Sequence, residues 1–219
     1  MRQITGRDAA FAVLNDLAFV VPPVPSGSAG VAWLRATVCR FSEGEAHRRR
    51  RALAVAVLDT IAPRSLGRHG STHPVAALAT EMGVREPVVD LVRDVAQAYQ
   101  PGTGDESRAD RAVAPLVAVL GGDFDERTAA RIGVLVQACQ ATTALIERAR
   151  YRWVEDVLRD DPPVPATKRQ ARVRTTVGGL TVERGEIVRV QLGDLAFGSG
   201  AHRCPGREHA LALVDSALR

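Results

Sequence analysis

One cysteine of this chain lies where the sequence favours a charged thiolate. Residues 197–206 read FGSGAHRCPG, and an uninterrupted helix-like run begins at Arg207. A helix N-terminus supplies partial positive charge and N–H donors, which stabilise the charged form of a sulfur such as that of Cys204. Gly198 and Gly200 carry no Cβ and would let the backbone pass close to a flat ligand. The segment predicts a held thiolate; the alternative is a buried structural cysteine beside a glycine-rich turn.

The same ten residues resemble the heme-binding segment of the cytochrome P-450 family, F-x-x-G-x-H/R-x-C-x-G. Every fixed position of that pattern is present: Phe197, Gly200, His202, Cys204 and Gly206. The resemblance implies that Cys204 is the axial ligand of a heme b iron and that His202 reaches a heme propionate. A thiolate ligand pushes electron density onto iron and favours O–O cleavage.

A second group of residues would suit the propionates, which are anions and need cationic or hydrogen-bonding partners. His47 and Arg51 are four residues apart, on one face of a predicted helix. They resemble the family's H-x-x-x-R helix, whose His and Arg bind propionates, and Arg169 aligns with a further propionate-binding Arg. Without the resemblance, the same helix face reads equally well as a solvated basic surface.

The segment 138–143, which reads ACQATT, resembles the family's distal helix, A/G-G-x-D/E-T-T, which crosses above the iron. Thr142 occupies the position of the alcohol that assists proton delivery, so the resemblance implies a catalytic role for it. Ala141 stands where the family has an acid, and an alanine relays no proton. A peroxide-driven or non-oxygenating reaction is therefore expected in place of routine oxygen activation. The alternative for Thr142 is a hydroxyl bonded back to its own helix.

The segment 154–163 is similar to the family's E-x-x-R helix and the D-P-P-V turn behind it. Asp156 and Arg159 take the acidic and basic positions, and their i, i+3 spacing allows them to pair on one helical turn. The resemblance implies that this pair is a structural brace for the cysteine loop. Asp is one methylene shorter than the family's Glu, and an ordinary surface ion pair is the alternative.

The apolar pattern predicts a mainly α chain with a small β-sheet near the C-terminus. Helices are expected over 9–17, 43–61, 74–82, 87–98, 112–120, 126–159 (as one helix or two) and 207–218. Gly178-Gly179 predicts a two-residue hairpin turn, and 187–192 alternates like a strand. A polar loop is expected over 102–110. These elements predict a single domain over 1–219 with a compact, truncated cytochrome P-450-like fold.

Members of the family are typically nearly twice as long, so the resemblance also indicates what is missing. Only four residues separate Leu192 from Phe197, where the family has a long meander. The segment 83–125 is too short for the usual lid helices, and the N-terminal sheet region is expected to be largely absent. A missing lid implies an open distal pocket that admits a large or carrier-bound substrate, or that a partner chain covers.

Composition and charge narrow the classes of partner and the cellular location expected for this chain. The 219 residues are 46% hydrophobic, with a net charge of +4 concentrated at Arg48–Arg51. No helix-turn-helix pattern, zinc spacing or interleaved aromatics accompany that run, so a nucleic-acid partner is not expected. No membrane partner is expected either, because the sequence shows no apolar run long enough to span a bilayer. The N-terminus shows no signal-peptide pattern, which predicts a cytoplasmic protein.

The other two cysteines, Cys39 and Cys139, are expected to be small core residues.

Three functions stay open at this point. The first is a heme-dependent oxidoreductase, a monooxygenase or peroxygenase that transforms a small organic molecule in specialised metabolism. Its electrons would come from a ferredoxin-type partner, or peroxide would supply the oxidising equivalents. The second is a non-catalytic heme-binding sensor, carrier or accessory protein. The third is a heme-free partner subunit, which the retained propionate partners disfavour. The substrate and any homo-oligomer are left open.

Overall fold

The computed structural model describes all 219 residues, and their backbone contacts divide the chain into two units. The cysteine-loop unit comprises Met1–Pro23 and Tyr151–Cys204, and the helical unit comprises Val24–Arg150 and Pro205–Arg219. The boundary thus falls directly after the cysteine of the candidate ligand loop. The expectation of a single domain over the whole chain stays a prediction.

Two sheets form in the cysteine-loop unit. Their strands are β1 (Gln3–Ile4), β2 (Phe19–Val20), β3 (Ala166–Ala171), β4 (Thr175–Val177), β5 (Leu180–Val182) and β6 (Ile187–Gln191). Four of them pair in the order β1-β6-β3-β2, with β1 parallel to β6 and the other pairs antiparallel. The N-terminal region therefore contributes two strands of two residues each, and the expectation that its sheet region is largely absent stays a prediction. Strands of two residues leave no alternating pattern, so the sequence could not reveal them.

The helices of this unit are α1 (Arg7–Asn15) and α9 (Val154–Asp160). The buried face of α1, with Val13 and Leu14, shares one apolar core with Val188 and Val190 of β6. Residues of β6 alternate between buried and half-buried, as expected for a strand with one face on a core. Full burial of each such side chain stabilises the fold by about 1.5–3 kcal/mol.

The predicted hairpin is confirmed. Strands β4 and β5 pair antiparallel on either side of Gly178 and Gly179, whose φ angles are +55° and +75°. A two-residue turn of this hand needs positive φ at both positions, which glycine adopts without a steric cost.

The helical unit contains eight helices. They are α2 (Gly30–Thr37), α3 (Gly44–Asp59), α4 (Pro63–Leu66), α5 (Pro74–Glu81), α6 (Val89–Ala96), α7 (Glu106–Leu120), α8 (Glu126–Ala149) and α10 (Arg207–Leu218). The longest, α8, packs against α3, α5, α6, α7 and α10. Its side chains Ile132 and Leu135 are fully buried, so α8 forms the centre of the largest core of the protein.

Several elements differ from the sequence-based expectation, among them the short helix α4, which was not expected. Helix α7 begins at Glu106, inside the expected polar loop, because Asp105 caps it by accepting a 3.0 Å hydrogen bond from the Arg108 N–H. The expected run over 126–159 is two helices, α8 and α9, separated by residues 150–153. Helix α2 was not expected at all, because the Pro- and Gly-rich loop before it obscures its start.

Helix α8 also corrects the statement that no segment could span a bilayer. By length and composition it is long and apolar enough to cross one, although more than half of its most apolar stretch is buried within the protein. The core helix of a soluble protein meets the same criterion, so the finding is weak evidence for a membrane span. The overall class is as predicted: mainly α with small sheets.

Candidate functional site

The predicted ligand loop is closed by its own backbone. The Cys204 N–H donates to the Phe197 carbonyl at 2.8 Å, and the Arg203 N–H donates to the Gly200 carbonyl at 3.1 Å. The second bond closes a 3₁₀ turn, Gly200–His202, and the first closes the loop around that turn. The backbone of Cys204 is therefore held next to Phe197, while the Cys204 side chain is exposed.

Gly200 is required by the protein itself. Its φ is +67°, and a Cβ built there would lie 2.3 Å from the Leu14 carbonyl oxygen of α1. Gly198 has a similar φ of +73°, but its nearest neighbours would lie 3.8 Å away, in ordinary contact. The missing Cβ of Gly200 faces α1, and the expectation that both glycines let the backbone pass close to a ligand stays a prediction.

A second contact from α1 fixes the same loop. The Asn15 amide Nδ2, at the last residue of α1, donates to Ser199 Oγ at 2.9 Å and to the Phe11 carbonyl at 2.7 Å. The end of α1 therefore holds the loop through both Leu14 and Asn15. Sequence reasoning missed both residues, because no local pattern links positions that are 184 residues apart.

The three cysteines have different surroundings. Cys139 is buried and Cys39 is half-buried, and burial raises the pKa of both thiols. Neither is thus suited to act as a thiolate, as expected for small core residues. Cys204 is exposed and lies at the end of a loop with a fixed backbone. Among the three, it is the exposed one.

The helical unit contains the other predicted residues on two packed helices. On α3, His47 is buried and Arg51 is half-buried; on α8, Thr142 is buried and Ala141 is half-buried. Helices α3 and α8 pack against each other through a small apolar cluster that includes Ala54 of α3. The structure thus places the predicted propionate helix beside the predicted distal helix.

An ionic clamp joins the same two helices. Arg49 Nε donates to Glu126 Oε2, and Arg50 Nε donates to Glu126 Oε1, each at 2.8 Å. The bond from Arg49 is the largest cause that lowers the pKa of Glu126 to about 2, with Arg50 adding to it. Two members of the basic run at 48–51 are therefore structural, which argues against its being a uniform solvated surface.

The remaining predicted residues lie at separate places in their own units. Arg169 is buried on β3, where its Nη1 donates to the Lys168 carbonyl at 2.8 Å and to Thr167 Oγ1 at 3.1 Å. His202 is half-buried in the 3₁₀ turn. At Gly206 a Cβ would meet the Leu58 side chain at 3.8 Å, an ordinary contact, so neighbouring protein atoms do not require glycine there.

The expected ion pair on α9 forms. Arg159 Nη2 contacts Asp156 Oδ1 at 2.5 Å, and Arg159 Nε contacts Asp160 Oδ1 at 2.9 Å. The second bond is the largest cause that lowers the pKa of Asp160. Both of these partners lie on the helix of Arg159 itself, and its side chain is 56% exposed. The role of the pair as a brace for the cysteine loop stays a prediction.

Each unit carries side chains whose chemistry suits a part of a thiolate-ligated heme. The cysteine-loop unit has one exposed thiol on a closed loop, the buried Arg169 and the half-buried His202, and the helical unit has the buried His47 and the half-buried Arg51. Buried cationic and hydrogen-bonding groups are the partners that propionates need in a protein interior. Thr142 adds one buried hydroxyl on α8.

No protein-family model matches the sequence, and no curated protein matches it significantly. Among solved structures, P450BioI in complex with an acyl carrier protein ligated to hexadec-9Z-enoic acid aligns over 99% of this chain and 82% of its own. That alignment has a TM-score of 0.73 and 18% sequence identity.

Two further structures agree with it. The cytochrome P450 PksS of the Bacillus subtilis bacillaene polyketide synthase aligns over 99% of this chain and 80% of its own, with a TM-score of 0.72 and 16% identity. The cytochrome P450 enzyme CxnD, described for C–S bond formation in chuangxinmycin biosynthesis, covers 97% of this chain and 77% of its own. Its TM-score is 0.62 at 14% identity. The resemblance seen in the motifs is thus confirmed in three dimensions: the chain has the cytochrome P450 fold in a shortened form.

Proposed function

We propose that this chain is a heme-thiolate enzyme of the cytochrome P450 type that oxidises or transforms a small organic substrate in specialised metabolism. In this proposal Cys204 ligates the iron of heme b. The propionates are held by His47, Arg51, Arg169 and His202. Thr142 is the catalytic residue on the distal side.

The presentation of Cys204 is the observation that carries this proposal. Its thiol is exposed, while burial raises the pKa of the thiols of Cys39 and Cys139. The loop that carries it is closed by the Cys204–Phe197 hydrogen bond and fixed by the approach of Gly200 to α1. An exposed side chain on so constrained a backbone supports a ligand role, and the cytochrome P450 fold supports heme as the group bound.

The distal residues favour an atypical reaction. A thiolate-ligated heme supplies oxidising chemistry from oxygen or peroxide when it is bound. Thr142 offers a buried hydroxyl that can hold or pass a proton at Oγ1, whereas the methyl group of Ala141 beside it can do neither. Proton supply of this kind contributes about 10²–10⁴-fold where it is used. We therefore favour a peroxide-driven or non-oxygenating reaction over routine oxygen activation.

The structural neighbours suggest the class of substrate. One was solved with a fatty acid carried on an acyl carrier protein, another belongs to a polyketide synthase, and a third is described for C–S bond formation. By analogy we propose a small or carrier-bound organic substrate, with a ferredoxin-type electron donor or peroxide as the source of oxidising equivalents. A cytoplasmic location is part of the same proposal.

The direct test is heme titration of the purified chain, followed by reduction and addition of carbon monoxide. We expect stoichiometric binding and the red-shifted Soret band that is typical of a thiolate-bound ferrous–CO heme. A chain that binds no heme would reject the proposal. Turnover is then assayed with peroxide and, separately, with a ferredoxin system. Heme binding without turnover in either assay would favour a non-catalytic sensor or carrier, which the lost acid at Ala141 also suits.

The propionate partners are tested by two variants with matched controls. Arg51→Ala removes the predicted partner on α3, and its control is the exposed Arg48→Ala on the same helix. Arg169→Gln is compared with the exposed Lys168→Ala on the same strand. A charge-assisted hydrogen bond contributes about 1.5–3 kcal/mol, so each test variant should weaken heme binding by roughly 10- to 100-fold. Equal affinities in the test and control variants would reject the assigned roles.

A further inference from the structure

Helix α10 begins with a histidine contact that no motif predicted. His209, the third residue of α10, has its ring Nε2 2.8 Å from the Ile61 carbonyl oxygen and 3.1 Å from that of Leu58. Both neighbours are acceptors, so Nε2 carries the proton and donates to the pair. These carbonyls lie at and just beyond the C-terminal end of α3, and that of Leu58 also accepts a 2.9 Å hydrogen bond from the Ile61 N–H.

The other ring nitrogen gives an independent indication of the same tautomer. His209 Nδ1 is buried and has no hydrogen-bond partner. A proton on Nδ1 would bury an N–H without an acceptor, which is costly. The ring thus donates through Nε2 alone, from α10 to the end of α3.

Gly206, which precedes α10, lies near the same place: a Cβ built on it would be 3.8 Å from both terminal methyl groups of Leu58. The observed hydrogen-bonded link between the start of α10 and the end of α3 is that of His209. At its other end, α10 is tied by Ser216 Oγ, which accepts a 2.8 Å hydrogen bond from the Gly70 N–H.

The two joined helices are those that the proposed heme site depends on. Helix α3 carries His47 and Arg51, and α10 follows Cys204 in the sequence with two residues between them. We propose that His209 is a positioning residue for heme binding, which sets the first turn of α10 against the propionate helix. This inference rests on the proposed function, since it concerns how the same heme is held.

The test uses two amides of different reach. In His209→Gln the side-chain amide nitrogen is as many bonds from Cβ as Nε2 is, so it can still donate to the carbonyls. In His209→Asn the amide nitrogen stands one bond nearer, as Nδ1 does, and falls short. We expect the Gln variant to keep the wild-type ferrous–CO band and heme affinity. The Asn variant should lose the thiolate band in part and bind heme about five- to tenfold more weakly, as for one net hydrogen bond.

Ser216→Ala is the control for general loosening of α10, because it removes the tie at the opposite end of the same helix. We expect it to lower the melting temperature as His209→Asn does, while the ferrous–CO band stays unchanged. If Ser216→Ala and His209→Asn alter the band equally, or if neither alters it, His209 merely stabilises the helix and the positioning role is overturned.

The hydrogen bond from His209 to the end of α3 can be measured without heme. A result that contradicts this bond can therefore be distinguished from one that contradicts the proposed function. Nitrogen-15 NMR of the imidazole in the apo chain should show a neutral ring with the proton on Nε2. A proton on Nδ1, or averaging between the two nitrogens, would overturn the tie. A chain with this tautomer that binds no heme would instead reject the proposed function, and with it the positioning role.

Discussion

The cysteine loop and the distal segment of α8 differ in how closely they follow the family's motifs. In the loop every motif position is retained, and Gly200 can carry no Cβ because the Leu14 carbonyl lies 2.3 Å from where that atom would be. On α8, Ala141 replaces the acid that the family has, within an unbroken helix of 24 residues. Backbone geometry constrains the loop at Gly200, whereas Ala141 lies half-buried within a regular helix. We therefore expect that ligand presentation and distal proton supply, as proposed above, can be changed separately.

The sharpest way to break this comparison is Gly200→Ala, for which we expect the largest effect. A left-handed alanine costs about 1–2 kcal/mol, and the clash with Leu14 adds about 1–3 kcal/mol of overpacking. Urea unfolding and heme retention measure the loss. Gly198→Ala is the matched control, because it has a similar φ but open space, and it should show only the smaller, conformational cost. Equal losses would mean that the approach to α1 is unimportant.

A second variant, which restores an acid at position 141 of α8, tests the distal segment in the same way. Ala141→Asp should raise ferredoxin-driven turnover relative to peroxide-driven turnover by about 100-fold, the lower end of what positioned proton transfer contributes. The control is Gln140→Asp, which adds the same charge at the exposed neighbouring position. An unchanged ratio in Ala141→Asp, with heme bound, would show that the missing acid does not limit the reaction.

A third prediction concerns pH, because the clamp that joins α3 to α8 contains a titrating carboxyl group, that of Glu126. The pKa of Glu126 is lowered to about 2 by Arg49 and Arg50, against about 4.3 in an unfolded chain. A carboxyl group with a depressed folded pKa stabilises the protein above the unfolded value, and this contribution is lost as pH falls from about 4.3 towards 2.

Glu126→Gln should therefore lower the free energy of unfolding by about 1–2 kcal/mol at neutral pH. It should also remove the part of the acid sensitivity that comes from the clamp. Urea unfolding between neutral pH and about pH 3 measures both, with Glu147→Gln, an exposed residue of the same helix, as the control. A variant that is as acid-sensitive as the wild type would show that the clamp does not govern this region.

The smallest effect is expected at Asn15. Its bond to Ser199 Oγ is exposed, so Asn15→Ala should cost about 0.5–1 kcal/mol of unfolding free energy. Hydrogen exchange of the loop amides should quicken while the amides of α8 are unaffected. Exchange that quickens equally in both regions would indicate general destabilisation instead of local support.

Local rules account for what the sequence could predict. The glycine pair at 178–179, the helix at 207–218 and the spacing of Phe197, His202 and Cys204 each depend on neighbouring residues, and their short-range geometry can be read directly. The fold class followed from the same patterns.

The contacts that position the site could not be predicted, because they join distant segments. The Leu14 carbonyl lies where a Cβ of Gly200 would be, and His209 donates to carbonyls at the end of α3. In neither case does a sequence pattern connect the two positions. Strands β1 and β2 have two residues each and exist only through their pairing with β6 and β3. Long-range closeness of this kind appears only once the chain is folded.

The central claim is that the Cys204 thiolate holds a heme iron, and it is tested most directly by comparing Cys204→Ser with Cys39→Ala after heme loading, reduction and carbon monoxide addition. We predict that the red-shifted Soret band disappears in Cys204→Ser and is retained in Cys39→Ala. A band that survives the loss of the exposed thiol, or that vanishes with the half-buried one, would contradict the assignment.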